Sequence, residues 1–98
     1  MSAPYTELID RLREVAALNS AASLLNWDQE TMMPERAGAS RAEELALLAR
    51  LAHERATDDR VGEWIERCRE DDVLAADPVR SANLREIARD YERARKLP

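Results

Sequence analysis

The sequence has no phenylalanine, two glycines, one cysteine and one histidine. A lone cysteine cannot form a disulfide within the chain, so a reducing cytoplasm is the expected location. A lone histidine cannot supply the two imidazoles, one helical turn apart, that a zinc site on a helix requires. No apolar run approaches the roughly 20 residues of a membrane span, and no signal-peptide pattern is present, so we expect neither feature.

The residues that are abundant favour helices. Ala, Leu, Glu and Arg dominate, and aromatic residues make up only 4%, which disfavours sheets. With 98 residues, 45% of them hydrophobic, the chain can build one modest core. The net charge is -5, and acids and bases are mixed along the chain, which argues against nucleic-acid binding. We expect a single helical domain over residues 1–98.

The first predicted helix is the longest and organises the rest. It runs from Pro4 to about Met32 and stops at Pro34, because a proline disfavours helical geometry in the residue before it. From residue 15 to residue 25 nearly every side chain is apolar or small, so we expect this part to be covered on more than one side. Trp27 is expected to be buried against the second or the last helix.

Three shorter helices are predicted after the first, and the second should end near Arg55. Each begins at a residue whose side-chain oxygen can cap a helix: Ser40, with Glu43 three residues later; Thr57 or Asp58; and Asp77, which precedes Pro78. A polar link over residues 69–76 separates the third helix from the last. The predicted fold is therefore all-α, with three shorter helices packed on a long first helix in an up-down, bundle-like arrangement.

Few side chains are placed for catalysis. His53-Glu54 begins like the helix of a zinc peptidase, but Thr57 stands where the second histidine would be, so we expect His53 at the surface. Asp28 and Glu30 are two residues apart, on different faces of a helix, and form a poor acid–base pair. Cys68 lies on an apolar stripe, which is typical of a small core residue. We predict no catalytic and no metal-binding residue.

A basic ridge is predicted on the last helix, formed by Arg85, Arg89, Arg93 and Lys96. Acidic residues are interleaved with it, namely Glu86, Asp90 and Glu92. This mixture favours an ordinary solvated face. The alternative is that the ridge docks an acidic partner.

The run Trp27-Asp28-Gln29-Glu30-Thr31, followed by Met33-Pro34, resembles a motif of the carboxypeptidase Taq family of zinc metallocarboxypeptidases. Further stretches that resemble the N-terminal region of this family follow in the family's order at residues 41–45, 48–55, 58–61, 82–87 and 91–94. The family removes residues from the C-terminus of peptides. The resemblance implies a helical layer beside the substrate cleft, in which residues 27–34 serve helix packing rather than zinc chemistry.

The resemblance stops short of the catalytic part. Family members are several times longer, and their HExxH zinc motif lies far downstream, so we expect no zinc or other cofactor here. The favoured hypothesis is a non-catalytic, stand-alone relative that acts by self-association or by binding another protein. One alternative is an excised piece of an authentic carboxypeptidase, whose peptidase activity would belong to the parent protein. Another is a small enzyme that uses Asp28 and Glu30.

We expect the chain to be a homodimer. A first helix of about 30 residues would be about 45 Å long, and three shorter helices are too few to cover all its sides. Pairing two copies about a two-fold axis, with the first helices antiparallel, would cover the remainder. The candidate interface residues are Leu18, Leu25, Met32 and Met33. A heterodimer with a full-length carboxypeptidase is the alternative.

Overall fold

Helix-favouring residues occupy almost the whole chain, and the computed structural model, which describes residues 3–31 and 38–96, is helical over nearly all of that part. The helices are α1 (Ala3–Thr31), α2 (Gly38–Thr57), α3 (Asp59–Arg69), α4 (Asp72–Ala76) and α5 (Pro78–Lys96). Four of them are the predicted helices, and no strand occurs among the described residues. The predicted all-α fold, organised on a long first helix, is confirmed.

Aspartates start the three helices of the C-terminal half. Asp58, Asp71 and Asp77 each accept a hydrogen bond from the backbone N–H two residues further on, at 2.9–3.0 Å. These bonds satisfy N–H groups that have no partner within the helix. The caps predicted at Asp58 and Asp77 are confirmed. The polar link predicted over residues 69–76 is wrong in part, because Asp71 caps the one-turn helix α4, which buries Leu74.

The ends of α2 differ from those predicted. The helix begins at Gly38, so Ser40 lies inside it rather than at its cap. A serine with a glutamate three residues later indicates that a helix begins nearby, because an acid in the first turn also suits the helix dipole. The pattern does not by itself identify the first residue of the helix. At the other end the helix reaches Thr57, whose hydroxyl donates to the carbonyl of His53 at 2.7 Å and keeps it within the last turn.

The core gathers the first third of α1 with the three C-terminal helices. Its buried members are Tyr5, Leu8, Val61, Ile65, Cys68, Leu74, Leu84 and Ala88. Leu8 is fully inaccessible to solvent and brings α1 into the same cluster as residues of α3, α4 and α5. Cys68 is a core residue, as predicted. Helix α2 packs along α1 and completes the arrangement.

The second half of α1 lies outside this core. The members of the core cluster on α1 end at Leu12, and most side chains of residues 16–27 are exposed. Leu18, Ala22 and Leu25 are the half-buried exceptions, at the spacing of a single helix face, with α2 alongside. Within the single chain, the prediction that residues 15–25 are covered on more than one side is therefore wrong. Because α3 packs on the first third of α1, and α4 and α5 pack on α3 and join the same core, the α1–α2 hairpin projects. The molecule measures 55 × 25 × 19 Å.

Gly62 permits a close approach between α3 and α5. A Cβ atom at Gly62 would lie 2.7 Å from the Tyr91 hydroxyl and 3.1 Å from its Cζ, well inside normal contact. The Tyr91 hydroxyl donates to the carbonyl of Asp58 at 3.4 Å and also bonds to the Arg95 guanidinium, which pairs with Asp59 at 2.7 Å. The missing side chain thus makes room for a tyrosine that ties α5 to the start of α3.

A matched pair of valines tests the position of the core. Val61 is buried in the core cluster, and Val79 is an exposed residue in the first turn of α5. We predict that Val61→Ala lowers the free energy of unfolding by about 1.5–3 kcal/mol, because it removes two buried methyl groups and leaves a cavity. Val79→Ala should change it by less than about 0.5 kcal/mol. Denaturant unfolding measures both, and equal losses would contradict the described core.

Candidate functional site

The projecting half of the α1–α2 hairpin carries three exposed large apolar side chains, and we call this part the hairpin surface. Leu24 is 68% exposed and Trp27 59%, three residues apart on α1, and Leu47 on α2 is 44% exposed. The prediction that Trp27 is buried is wrong. Periodicity placed it on an apolar helix, but at this level α2 is the only described helix that packs along α1.

The α1 side of the hairpin surface carries no charged side chain. Residues 16–27 contain no acidic or basic side chain, although 36% of the whole chain is charged. Alanine and serine fill most of the positions between the leucines and asparagines. A helix of small and uncharged residues lets another helix approach closely and imposes no charge repulsion on it. This segment can therefore accept an apolar partner at little electrostatic cost.

In the sequence, the residues of the predicted family motif span the end of α1. Helix α1 continues through Thr31, so the backbone at positions 28 and 30 is helical. The side chains of residues 28–31, which include Gln29, and all of Met32, Met33 and Pro34 lie outside the described part.

Of the four candidate interface residues, the structure describes two. Leu18 and Leu25 are half-buried on the α1 stripe that runs beside α2, whereas Met32 and Met33 are outside the described residues. Their role in an interface stays a prediction. Sequence reasoning missed Leu24 and Leu47 as exposed positions. The available signal was that one neighbouring helix covers one face, so leucines on the remaining faces stay exposed.

A polar cluster fixes the base of the hairpin to α3. Arg11 donates to the Asp58 carboxylate and to the carbonyl of Arg55, both at 3.1 Å, and its guanidinium lies 5.3 Å from the centre of the Trp64 ring. Arg55 in turn pairs with Glu14 at 2.8 Å. The Arg11 side chain is only 13% exposed, which is unusual for an arginine, whereas its partner Asp58 is 38% exposed, so their bond is partly shielded from water. The cluster joins α1, the end of α2 and the start of α3.

This cluster perturbs one titrating group. The backbone N–H of Arg60 and then the guanidinium of Arg11 hold the pKa of the Asp58 carboxyl below its ordinary value. Both contacts favour the ionised form, which is the form that caps α3 and pairs with α1. Asp58 therefore contributes to stability above its ordinary pKa and loses that contribution as the pH falls through its lowered pKa.

Asp58→Asn tests this linkage. Asparagine keeps an oxygen that can cap α3 but removes the charge that faces Arg11. We predict that the variant is less stable than the parent at pH 7, and that the difference shrinks at a pH of about 3 as the parent carboxyl becomes protonated. Urea unfolding at the two pH values measures it, with Asp90→Asn as the control for loss of one negative charge elsewhere. A difference that grows at low pH would contradict the assignment.

The remaining candidate groups show no catalytic arrangement in the part of the chain that the structure describes. His53 is exposed, as predicted, and no three His, Cys, Asp or Glu residues are grouped there to hold a metal ion. Burial raises the pKa of the Cys68 thiol, and the nearby Asp71 charge adds to the effect, so the thiol is kept in its unreactive protonated form. None of the described helices is long and apolar enough to cross a membrane.

The chain belongs to the carboxypeptidase Taq (M32) metallopeptidase family, whose sequence pattern matches residues 7–98. It is similar to thermostable carboxypeptidase 1 from Thermus thermophilus, with 46% identity over 98 residues, which is 98% of this chain and 19% of the relative. The predicted resemblance is confirmed, and the chain spans less than a fifth of the length of this relative.

Proposed function

We propose that this chain is a non-catalytic protein-binding segment of the carboxypeptidase Taq family that acts through the hairpin surface. The observation that carries the proposal is the exposure of Leu24, Trp27 and Leu47 on a part of α1 and α2 that projects beyond the core. Exposed large apolar side chains that are grouped on one part of a protein often mark a protein-binding surface. Tryptophan is also among the residues that contribute most to protein interfaces when it becomes buried there.

The partner that we propose first is a second copy of the same chain. The chain has a net charge of -5, which opposes association of two copies, but residues 16–27 carry none of that charge. Two copies related by a two-fold axis can therefore bring their α1 helices together through residues 16–27, where no charged side chains repel each other. Such a pairing buries the same patch on both chains at once.

A full-length carboxypeptidase is the second candidate partner. The observation that favours it is coverage, because the chain corresponds to 19% of the length of its similar carboxypeptidase. In this second proposal, the remainder of such an enzyme supplies the apolar surface that receives the hairpin. Both partners use the same surface, and both leave peptide cleavage to residues outside this chain.

The non-catalytic part of the proposal has its own test. We predict that the purified chain retains less than one zinc ion per chain after dialysis and does not shorten a peptide from its C-terminus. The reason is that the sequence holds one histidine and that the described residues offer no cluster of metal ligands. Elemental analysis and a peptide digest followed by mass spectrometry measure the two properties. Stoichiometric zinc with chelator-sensitive cleavage would overturn the prediction.

The hairpin surface is tested by its oligomeric state. We predict that light scattering at tens of micromolar gives twice the chain mass of 11.1 kDa. Leu24→Glu combined with Trp27→Glu should weaken the dimer at least roughly thirtyfold, because each copy would bury uncompensated charge and lose its aromatic anchor. Val73→Glu combined with Val79→Glu is the matched control, since these exposed valines lie outside the hairpin.

Two outcomes would contradict self-association through this surface. One is a monomeric parent chain over the whole concentration range, and the other is equal weakening by the two double variants. In the first case, co-elution with the Thermus thermophilus carboxypeptidase tests the second partner. Loss of that co-elution in the Leu24→Glu, Trp27→Glu variant would assign the same surface to binding the enzyme.

A further inference from the structure

A second surface feature lies away from the hairpin. A groove of about 570 Å³ opens between the C-terminal end of α3, helix α4 and α5, and none of the residues that line it belongs to α1 or α2. Four buried core residues form its apolar floor: Cys68, Leu74, Leu84 and Ala88. The volume is within the range of about 300–1,000 Å³ that is typical of ligand pockets.

The rim of the groove is basic. Arg69 on α3 and Arg85 and Arg89 on α5 line it, against one acidic side chain, Glu92. This excess of positive charge occurs in a protein whose net charge is -5. The groove thus differs in sign from the molecule as a whole, and it recruits two residues of the basic ridge to a concave site.

The three arginines are only partly engaged by the protein itself. Arg69 pairs with Glu66, and Arg85 donates to the Ser81 hydroxyl at 3.2 Å. Arg89 has no ion-pair or hydrogen-bond partner within residues 3–31 and 38–96. Each guanidinium presents several N–H donors in a plane and pairs well with a carboxylate. The rim therefore offers donors that a bound ligand can use.

We propose that this groove binds an acidic peptide segment of a partner protein, with one apolar side chain on the floor and carboxylates on the arginines. Arg85 and Arg89 are one helical turn apart on α5, and Arg69 stands on another helix. Charges spread in this way match several separate carboxylates better than one compact anion. The apolar floor between them requires an apolar group flanked by acids. This proposal is independent of the hairpin surface, which shares no residue with the groove.

The experiment is a titration of the isotope-labelled chain with a peptide, in which the amide chemical shifts of the chain report binding. The probe is acetyl-Glu-Glu-Leu-Glu-Glu-amide, and the control probes replace either the four acids by lysines or the leucine by glycine. We expect the acidic leucine peptide to shift amides of residues 68–75 and 81–92, and both control peptides to bind at least about tenfold more weakly. Raising the salt concentration from about 50 to about 300 mM should weaken the binding severalfold.

Charge-reversed variants assign the site. Arg85→Glu combined with Arg89→Glu should weaken the acidic peptide at least about tenfold, because it removes two positive charges and adds two negative ones. Arg13→Glu combined with Arg50→Glu makes the same change in net charge on exposed positions of α1 and α2 and should retain most of the binding. The amide spectrum of each variant without peptide establishes that it is folded.

Three results would overturn the proposal. They are absence of binding by the acidic peptide, equal binding of the lysine peptide, and shifts that map to the hairpin rather than to α3–α5. The Leu24→Glu, Trp27→Glu variant separates the two proposals, because it should bind the acidic peptide like the parent. Failure of self-association would therefore leave the groove standing, and failure of the groove would leave the hairpin surface standing.

Discussion

Asp58 is the residue through which the helices of this chain are tied together. Its carboxylate caps α3 and pairs with Arg11 of α1, and its carbonyl accepts the hydroxyl of Tyr91 on α5. It also stands directly between α2 and α3, where the chain reverses from the hairpin to the C-terminal helices. Because this junction is held against the first third of α1, α3 packs on that part of α1, and α4 and α5 complete the same core. The distal half of the hairpin extends beyond this junction, and most of its α1 side chains are exposed.

Charge is distributed so that the two exposed features differ in kind. The distal part of α1 is uncharged over residues 16–27, and the groove beside α5 collects three arginines in an acidic protein. Between them lies a core that combines α1 with α3, α4 and α5. The first surface is suited to contacts that exclude water, whereas the second is suited to contacts that weaken with salt. One small domain can therefore offer two partners different chemistry on different faces.

Sequence patterns predicted which segments are helical and which residues share a face, but not what covers each face. Asp58 and Asp77 were identifiable as caps because their chemistry is local, and Cys68 was identifiable as core because its neighbours on the stripe are apolar.

Trp27 was misplaced since its burial depends on helices distant in sequence. Helix α4 was missed because one turn is too short for periodicity, although Asp71 carried the signal. A glycine inside a helix is unfavourable, and only the approach of Tyr91 explains Gly62 in α3. The arginines that line the groove could not be predicted to lie together, because this depends on α3 packing beside α5. Residue spacing along the sequence does not indicate which helices pack together.

The elongated shape has a hydrodynamic consequence. The radius of gyration is 16.8 Å, against about 13 Å for a compact chain of this length. By the same scaling, a value of 16.8 Å belongs to a compact protein of roughly 210 residues. A size-exclusion column calibrated with globular standards will therefore assign a single copy of this chain an apparent mass above its true 11.1 kDa. Its friction in solution reports the length of the α1–α2 hairpin as much as the number of chains.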